Sequence, residues 1–447
     1  ARDLANKADS IAEKNLPATH AAAIDARVLL ARQALEREDY AHSESILRDA
    51  LARVHAAGDT DRASIDIMEQ LAVIETKRDH REQALVLERD GLAERIRRDG
   101  PDAKSVAEGY ANVGAGLTNL GRFNEAADAF ERSAEIDRIN RPPASYDVLS
   151  SLSNWGAALQ AAGHITAALI KFREAEHGFA QLGGKPRRMR AVNLQKLCVT
   201  EVSFAAPATA AKTCAQFLQI TRELAGESST LMSLAVRTEA SRLIEAGDLD
   251  GAALRLDESW QRLPDRPENQ ESRAVIRYVR ASLAWLRGDA AATREDARWA
   301  IDHISGLAIL WGARLSARTM LLLACADGPH AYCSVTPRKD LEETIASVAN
   351  ADDPRLLYAR TALARQDIDR APALAARAIG QAIDHARVEL ADDHPWIQAA
   401  RFWRALALDH AGACKAAGDA LPAVDTAKFV NPWLREAADA YARGRRC

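Results

Sequence analysis

The sequence predicts an all-α repeat solenoid, and three observations support this fold class. A pattern of residues in the stretch 107–136 returns in the stretch 149–178, displaced by 42 positions. The composition is that of a helical protein, rich in alanine, leucine, arginine and glutamate, with only 5% aromatic residues. The chain has 447 residues, more than a single hydrophobic core usually supports. A repeat array avoids this limit because each unit packs only against its neighbours.

The two stretches share identical or similar residues at corresponding positions. The pairs are Asn112 and Asn154, Gly114 and Gly156, Leu117 and Leu159, Gly121 and Gly163, Phe123 and Ile165, Ala126 and Ala168, and Phe130 and Phe172. A glycine inside a helix costs about 1 kcal/mol relative to alanine, so Gly114 and Gly156 indicate the close approach of a second helix. Gly121 and Gly163 would end the first helix in a left-handed conformation. The pattern therefore predicts a helix–turn–helix unit.

A small residue marks the same place in each unit along much of the chain. These anchor residues are separated by 41 or 42 positions, and they are Ser43, Ala84, Ala126, Ala168, Ala210, Ala252 and Thr293. The period predicts about seven regular repeats within 18–304, preceded by a capping helix at 1–17. Residues 305–447 would form divergent repeats and a C-terminal cap, for about nine hairpins in all. Terminal repeats are expected to be atypical because one face meets water. Within this last part, the Gly-, Ala- and Pro-rich segment 412–430 predicts a loop.

The repeat resembles the tetratricopeptide repeat (TPR), in the 42-residue form of kinesin light chain. The resemblance implies a right-handed superhelix in which the first helix of each repeat lines a concave groove for a protein or an extended peptide. Long arrays of this composition also resemble the sensory regions of bacterial transmembrane Ser/Thr kinases and of winged-helix regulators. This second resemblance implies a non-catalytic, extracytoplasmic sensor domain for signal transduction, with a kinase or other effector domain outside this chain.

Polar residues recur at one groove position of successive first helices. Asn112 and Asn154 stack there, Gln70 lies one repeat earlier and Lys196 one repeat later. In related 42-residue repeats, asparagines at this place bind the backbone of a peptide, and an amide has the donor and acceptor this requires. A hydrogen bond between helices within the array is the alternative. Further residues predicted on this face are Asn119, Gln160, Gln195, Arg237, Tyr278 and Trp285.

The six cysteines admit two interpretations. They could be small buried apolar residues, a common use of a free cysteine. They could instead form three local disulfides, which would pair Cys198 with Cys214, Cys325 with Cys333, and Cys414 with Cys447. Cys198 takes the position of Gly114 and Cys214 that of Phe130, where two helices approach closely enough for a disulfide. The even number favours the second interpretation and an oxidising compartment such as the periplasm.

Motifs for catalysis, cofactor binding and metal binding are not found in the sequence. It has no His-Glu-x-x-His, no Gly-x-Ser-x-Gly and no Cys-x-x-Cys, so we expect no enzyme activity, no metal and no cofactor. An enzyme site assembled from scattered residues, such as Glu201, His303 and His330, stays as an alternative. The formal net charge of −4 offers no basic bias toward nucleic acid.

The expected location follows from the cysteines and from the second resemblance. The chain begins with Ala1 and has no apparent signal peptide, so we interpret it as part of a longer protein that reaches the membrane only through a flanking segment. The alternative is a cytoplasmic scaffold or a quorum-type peptide receptor, in which all six thiols would be free.

Overall fold

The structure is a computed structural model that describes residues 7, 10–12, 14–17, 20–56, 62–182, 188–205, 207–225, 230–306, 308–326, 336–421, 424–429 and 432–443. All regular elements within these residues are helices, and none of these residues lies in a strand. The chain divides into two compact units, 1–158 and 159–447. The boundaries predicted from the sequence, at 17 and 304, concern the regularity of the repeats and stay predictions. The predicted capping helix at 1–17 falls mostly outside the described residues.

The first unit is built of consecutive helices, each packed against the next along the chain. Their bounds are α1 Ala21–Leu35, α2 Tyr40–Ala56, α3 Arg62–Lys77, α4 Arg81–Asp99, α5 Lys104–Asn119, α6 Phe123–Asn140 and α7 Tyr146–Ala161, of which the last crosses the division between the units. Helices α1 and α2, α3 and α4, and α5 and α6 form hairpins. First helices of neighbouring repeats also touch, as α1 and α3 do.

The second unit continues the same arrangement. Its helices are α8 Ile165–Gln181, α9 Arg188–Phe204, α10 Pro207–Ala225, α11 Thr230–Glu245, α12 Leu249–Gln261, α13 Gln270–Leu286, α14 Ala290–His303, α15 Trp311–Ala326, α16 Thr336–Ala346, α17 Leu356–Arg365, α18 Pro372–Ala386, α19 Pro395–His410, α20 Cys414–Ala420 and α21 Pro432–Arg443. From α9 to α19, the first helix of each repeat packs against the first helix of the next. This stacking of hairpins confirms the predicted all-α repeat solenoid.

The small anchor residues lie where the sequence places them, in the tightest contacts between helices. All seven, from Ser43 to Thr293, are at most 1% exposed. Ser43 also donates a hydrogen bond from its hydroxyl to the carbonyl of Ala31, 2.7 Å away on the partner helix. A larger side chain at an anchor would push the two helices of a hairpin apart.

Glycines end the first helices by adopting positive φ, as the repeat pattern predicts. Gly121 has φ 77° and Gly163 has φ 87°. The corresponding residues of the first two hairpins are Glu38 and Asp79, which adopt φ 62° and 65° without the freedom of glycine. The turn geometry is therefore set by the packing of the hairpin even where the residue does not favour it.

Gly114 and Phe130 show how a hairpin is locked. A Cβ atom placed on Gly114 would lie 2.9 Å from two carbons of the Phe130 ring, closer than van der Waals contact permits. In the repeat at α9 and α10, Cys198 and Cys214 occupy these two positions and form a disulfide with a Cα–Cα distance of 5.1 Å. A covalent bond thus replaces the glycine–phenylalanine contact in that hairpin.

The other cysteines are only partly described. Cys325 and Cys414 are disulfide-bonded, and no described cysteine is free. Their predicted partners, Cys333 and Cys447, lie outside the described residues.

One local prediction was wrong. Residues 414–420, expected to be part of a loop, form α20, which packs against α19, and a short 3-10 helix follows at Thr426–Lys428. The reason is that Ala416, Ala417 and Ala420 favour a helix and bury Ala417 against the neighbouring helix.

Candidate functional site

The predicted groove position of the first unit is occupied by a polar network within the protein. Asn112 on α5 donates from Nδ2 to Oε1 of Glu69 on α3, at 2.7 Å. The same oxygen is 2.6 Å from Nη2 of Arg95 on α4. Gln70 is engaged too, since its Oε1 lies 3.3 Å from Nε of Arg32. Asn112 and Gln70 therefore make the intra-array hydrogen bonds that were the alternative to peptide binding.

Two other predicted residues of the first unit have no such side-chain bond in the described part of the chain. Asn154 is half-buried on α7, and Asn119 is exposed at the end of α5. The carbonyl of Asn119 accepts a hydrogen bond from Arg81, at 3.2 Å. Of the predicted amides in this unit, these are the two with free side chains.

A buried carboxyl on α4 was not found from the sequence. Burial, and to a smaller extent the negative charge of Glu69, raise the pKa of Glu88 to about 7. Its Oε2 atom has no hydrogen-bond partner among the described residues. A Cβ on Gly116 would collide with that atom, so a larger residue there would force the carboxyl to move.

Glu88 makes the stability of the first unit depend on pH. A glutamate whose pKa is raised by folding destabilises the protein as the pH increases. The effect grows between pH 4.5, which is near the pKa in the unfolded chain, and about pH 7, which is the pKa in the folded protein. We expect Glu88→Gln to raise stability by less than about 0.5 kcal/mol at pH 5 and by about 1–2 kcal/mol at pH 8, allowing for partial solvent access. Chemical denaturation at both pH values measures this, with the exposed Glu82→Gln on the same helix as control. An equal effect of Glu88→Gln at pH 5 and pH 8 would contradict it.

The second unit contains a large pocket enclosed by the first helices of successive repeats. Its volume is about 420 Å³, and its walls come from α9, α11, α13, α15, α17 and α19. The lining is mainly apolar and aromatic, and it includes Tyr278, Trp285, Tyr358, Trp396 and Trp403. We call this space the central pocket. Within this unit, the described second helices contribute almost nothing to its wall, and the concave groove stays a prediction.

Three of the predicted site residues lie in the central pocket. Gln160 is at its edge and donates to Oγ1 of Thr200 at 2.6 Å. Tyr278 is partly accessible, while Trp285 is 5% exposed and contributes mainly to the core. The guanidinium of Arg365 lies 5.7 Å from the ring centre of Trp285.

Two predicted cations precede the pocket wall by one helical turn. Lys196 lies four residues before Thr200 on α9, and Arg237 lies four residues before Ser241 on α11, so each shares a helix face with a lining residue. Burial lowers the pKa of Lys196 to about 8 and also lowers the pKa of Arg237. Neither side chain has a hydrogen bond or an ion pair with a described residue. Gln195 lies half-buried beside Lys196.

The surroundings of Arg237 form a smaller pocket of about 270 Å³. Arg188, Ser233, Glu271 and Ser272 also line it. Glu271 accepts a hydrogen bond from the hydroxyl of Ser305 at 2.7 Å rather than pairing with Arg237. The positive charge of Arg237 therefore stays without a counterion among the described residues.

The central pocket is completed by contacts between distant repeats of the second unit. Arg355, just before α17, donates from Nη2 to the carbonyls of Gln160 at 2.8 Å and Ala161 at 3.2 Å. Asn350 donates to the carbonyl of Ala162 at 3.0 Å. These groups cap the carbonyl end of α7, where a cation and donors are favourable. We call this set of contacts the closing joint.

Asp353 holds the closing joint together. Its carboxylate, 0% exposed, accepts from Nε and Nη2 of Arg355 at 2.9 and 2.6 Å. Gly163 makes the approach possible, because a Cβ there would lie 2.5 Å from Oδ2 of Asp353. A second contact lies nearby, where His394 bonds the carbonyl of Ser203 at 3.0 Å and Trp396 packs edge-on against Phe204.

Glu201 and His303, the two described residues of the enzyme alternative, have different contact partners. Glu201 is buried and pairs with Arg173 on α8, with Nη2 at 2.9 Å. His303 stacks on Trp299, with ring centres 3.9 Å apart. His330 lies outside the described residues. Among the described residues, no three His, Cys, Asp or Glu side chains are arranged to hold a metal ion.

Comparison with known proteins gives a likeness of structure only. No protein-family profile matches the chain, and no curated protein sequence matches it. The chain is similar to the crystal structure of BtubC (BKLC) from P. vanneervenii, with 18% identity over 50% of this chain and 91% of that one, at a TM-score of 0.44. It is also similar to two structures of a Podosopora anserina putative kinesin light chain with nearly identical TPR-like repeats, each at 14% identity and a TM-score of 0.41. They cover 44% and 47% of this chain and 94% and 99% of their own. Such partial likeness carries no argument about partners.

Within the described part of the chain, no helix combines the length and the apolar character needed to cross a bilayer.

Proposed function

We propose that this chain is a non-catalytic protein-interaction domain whose second unit binds an extended, acidic segment of a partner protein. The observation that carries the proposal is the pair Lys196 and Arg237. They lie on α9 and α11, which are adjacent first helices, and each is a desolvated cation without a described counterion. Repeat solenoids use extended surfaces of this kind for binding.

The chemistry of the two cations favours a carboxylate-bearing ligand. Burying a charge costs free energy unless a partner compensates for it, so each unpaired cation is maintained at a cost to the unliganded fold. A partner carboxylate would recover this cost and form charge-assisted hydrogen bonds. Tyr278 follows on the same face and is partly accessible, so it would offer an apolar contact to the partner.

The experiment compares the parent with Lys196→Ala/Arg237→Ala. Peptides selected on the parent from a displayed random library should be rich in Asp and Glu. Their affinity for the double variant, measured by fluorescence anisotropy, should be tenfold to a hundredfold weaker, which is about 1.4–2.8 kcal/mol. The double variant should melt at the same temperature as the parent or higher, because two desolvated charges are removed.

A matched control makes the same change of charge outside the groove. Lys212→Ala/Arg222→Ala alters the second helix α10 and should leave peptide affinity unchanged. Selected peptides without acidic residues, or equal affinity for the parent and the Lys196/Arg237 variant, would refute this function.

We further propose that the domain is the extracytoplasmic sensory region of a bacterial signalling protein, with an effector such as a Ser/Thr kinase domain outside this chain. The support is the Cys198–Cys214 disulfide, which belongs to an oxidising compartment, together with the resemblance of the repeats. The alternative is a cytoplasmic scaffold or peptide receptor. Alkylation without reduction, on protein taken from its native compartment, distinguishes them, because cytoplasmic protein would carry label on Cys198 and Cys214.

A further inference from the structure

A carboxyl in the central pocket has no role in the proposed peptide site. Glu245 lines the pocket from the last turn of α11. It has no hydrogen bond and no ion pair with a described residue. The carbonyl end of a helix carries partial negative charge, so an acidic side chain there is unfavourably placed unless a cation approaches.

The two arginines that line the pocket with Glu245 both have other interaction partners. Of the arginines that line the pocket, Arg355 pairs with Asp353, and Arg365 stacks over the ring of Trp403 at 4.3 Å. The remaining titratable lining groups are the tyrosines Tyr278 and Tyr358.

Among the described residues, no helix that packs against α11 supplies a cation to Glu245. On α13, for example, Arg277 pairs with Asp296 and Arg280 pairs with Asp257. On α11 itself, Arg242 pairs with Glu239, with Nη2 at 2.6 Å. The acid of α9, Glu201, is paired with Arg173 on α8. On α12, Asp248 caps its own helix by accepting from the amide of Gly251. Burial is therefore the main influence on the carboxyl of Glu245, and it raises the pKa of this group to about 7.

The remaining walls are suited to an apolar ligand. Trp396 and Trp403 are half-buried and offer aromatic surface to a ligand, and aromatic faces also attract organic cations. The volume of about 420 Å³ lies in the range of pockets that hold small organic molecules. An apolar chamber with one unpaired acid selects for a ligand with the opposite charge at one end.

We propose that the central pocket binds a small apolar molecule that carries one primary or substituted amine, with its ammonium group paired to Glu245. This site is separate in its chemistry from the peptide site, because it uses an acid where the peptide site uses Lys196 and Arg237. The domain would then report on an organic amine as well as on a protein partner.

The test uses 2-phenylethylamine as the probe and 2-phenylethanol as its neutral counterpart, titrated into the full chain by calorimetry. The parent should bind the amine at least tenfold more tightly than the alcohol at pH 8. Glu245→Gln should remove this preference and leave alcohol binding unchanged. The exposed Glu268→Gln makes the same change of charge away from the pocket and should behave as the parent.

A pH series on the parent tests the proposal without any substitution. The amine stays protonated between pH 6 and pH 8, whereas Glu245 ionises in this range. The affinity of the parent protein for the amine should therefore rise about tenfold between pH 6 and pH 8, while its affinity for the alcohol should not change. Equal binding of amine and alcohol, a preference that survives in Glu245→Gln, or no amine binding at millimolar concentration would overturn the proposal. None of these outcomes affects the acidic-peptide test.

Discussion

Asp353→Ala is expected to destabilise the second unit by about 3 kcal/mol and to open the closing joint. Removing one partner of a buried ion pair leaves the other charge uncompensated, which usually costs about 3–5 kcal/mol. We expect the lower end of this range because Arg355 would keep two other interactions. It would still donate to the carbonyls of Gln160 and Ala161, and its guanidinium would still lie 4.2 Å from the ring centre of Trp311. The carboxylate also accepts the backbone amide of Arg355, so the start of α17 would lose an anchor.

The neighbouring residue provides the control. Asp352 is about half exposed and pairs with the exposed His385, so Asp352→Ala should cost less than about 1 kcal/mol. Denaturation measures the stabilities, and hydrogen exchange at amides 160–166 reports the joint directly. If Asp353→Ala were as stable as Asp352→Ala, with the same amide protection, the closing joint would not hold this unit together.

Removing the Cys198–Cys214 disulfide should have the second large effect. A local loop of this kind, with a sequence separation of 16, contributes about 2–4 kcal/mol by restricting the unfolded chain. Cys198→Ala/Cys214→Ala should therefore lower the free energy of unfolding by that amount. Both sulfurs are buried, so the alanine pair also leaves a small void between α9 and α10.

The repeat itself suggests a rescue. Cys198→Gly/Cys214→Phe would recreate the contact of Gly114 with Phe130 in this hairpin, and it should be more stable than the alanine pair by about 1–2 kcal/mol through restored packing. Chemical denaturation of the parent, the alanine pair and the glycine–phenylalanine pair under oxidising conditions measures their order of stability. Under reducing conditions, the free energy of unfolding of the parent should decrease toward that of the alanine pair. A glycine–phenylalanine pair less stable than the alanine pair would show that this hairpin packs differently from that of α5 and α6.

Much of the fold could be predicted because a repeat array depends on local contacts. Gly121 marks a turn and Ala126 marks a close approach within one hairpin, and each hairpin packs on the next along the chain. A short sequence pattern therefore determines the helix order, the turns and the anchors. The pairing of Cys198 with Cys214 followed from the same register, because both lie at positions that the repeat brings together.

The candidate site depended on contacts that no register encodes. Asn112 and Asn154 share a repeat position, yet Asn112 bonds to Glu69 while Asn154 has no such described bond. The two asparagines differ because their neighbouring residues differ in polarity, and the 42-residue repeat does not specify this. The sequence did select Lys196 and Arg237, but only the structure gave the reason to keep them, which is burial without a counterion in the described part of the chain.

By itself the sequence determined that this protein is an all-α solenoid of helix hairpins, where those hairpins turn, and which small residues lock them. Only the tertiary structure decided that the second unit closes through Asp353 and Arg355, and that Glu245 lies in the resulting pocket without a hydrogen bond or ion pair to any described residue. The physical reason is distance along the chain: Arg355 and the carbonyl of Gln160 are 195 residues apart. A contact of that range arises from the accumulated curvature of many repeats, and no local pattern records it.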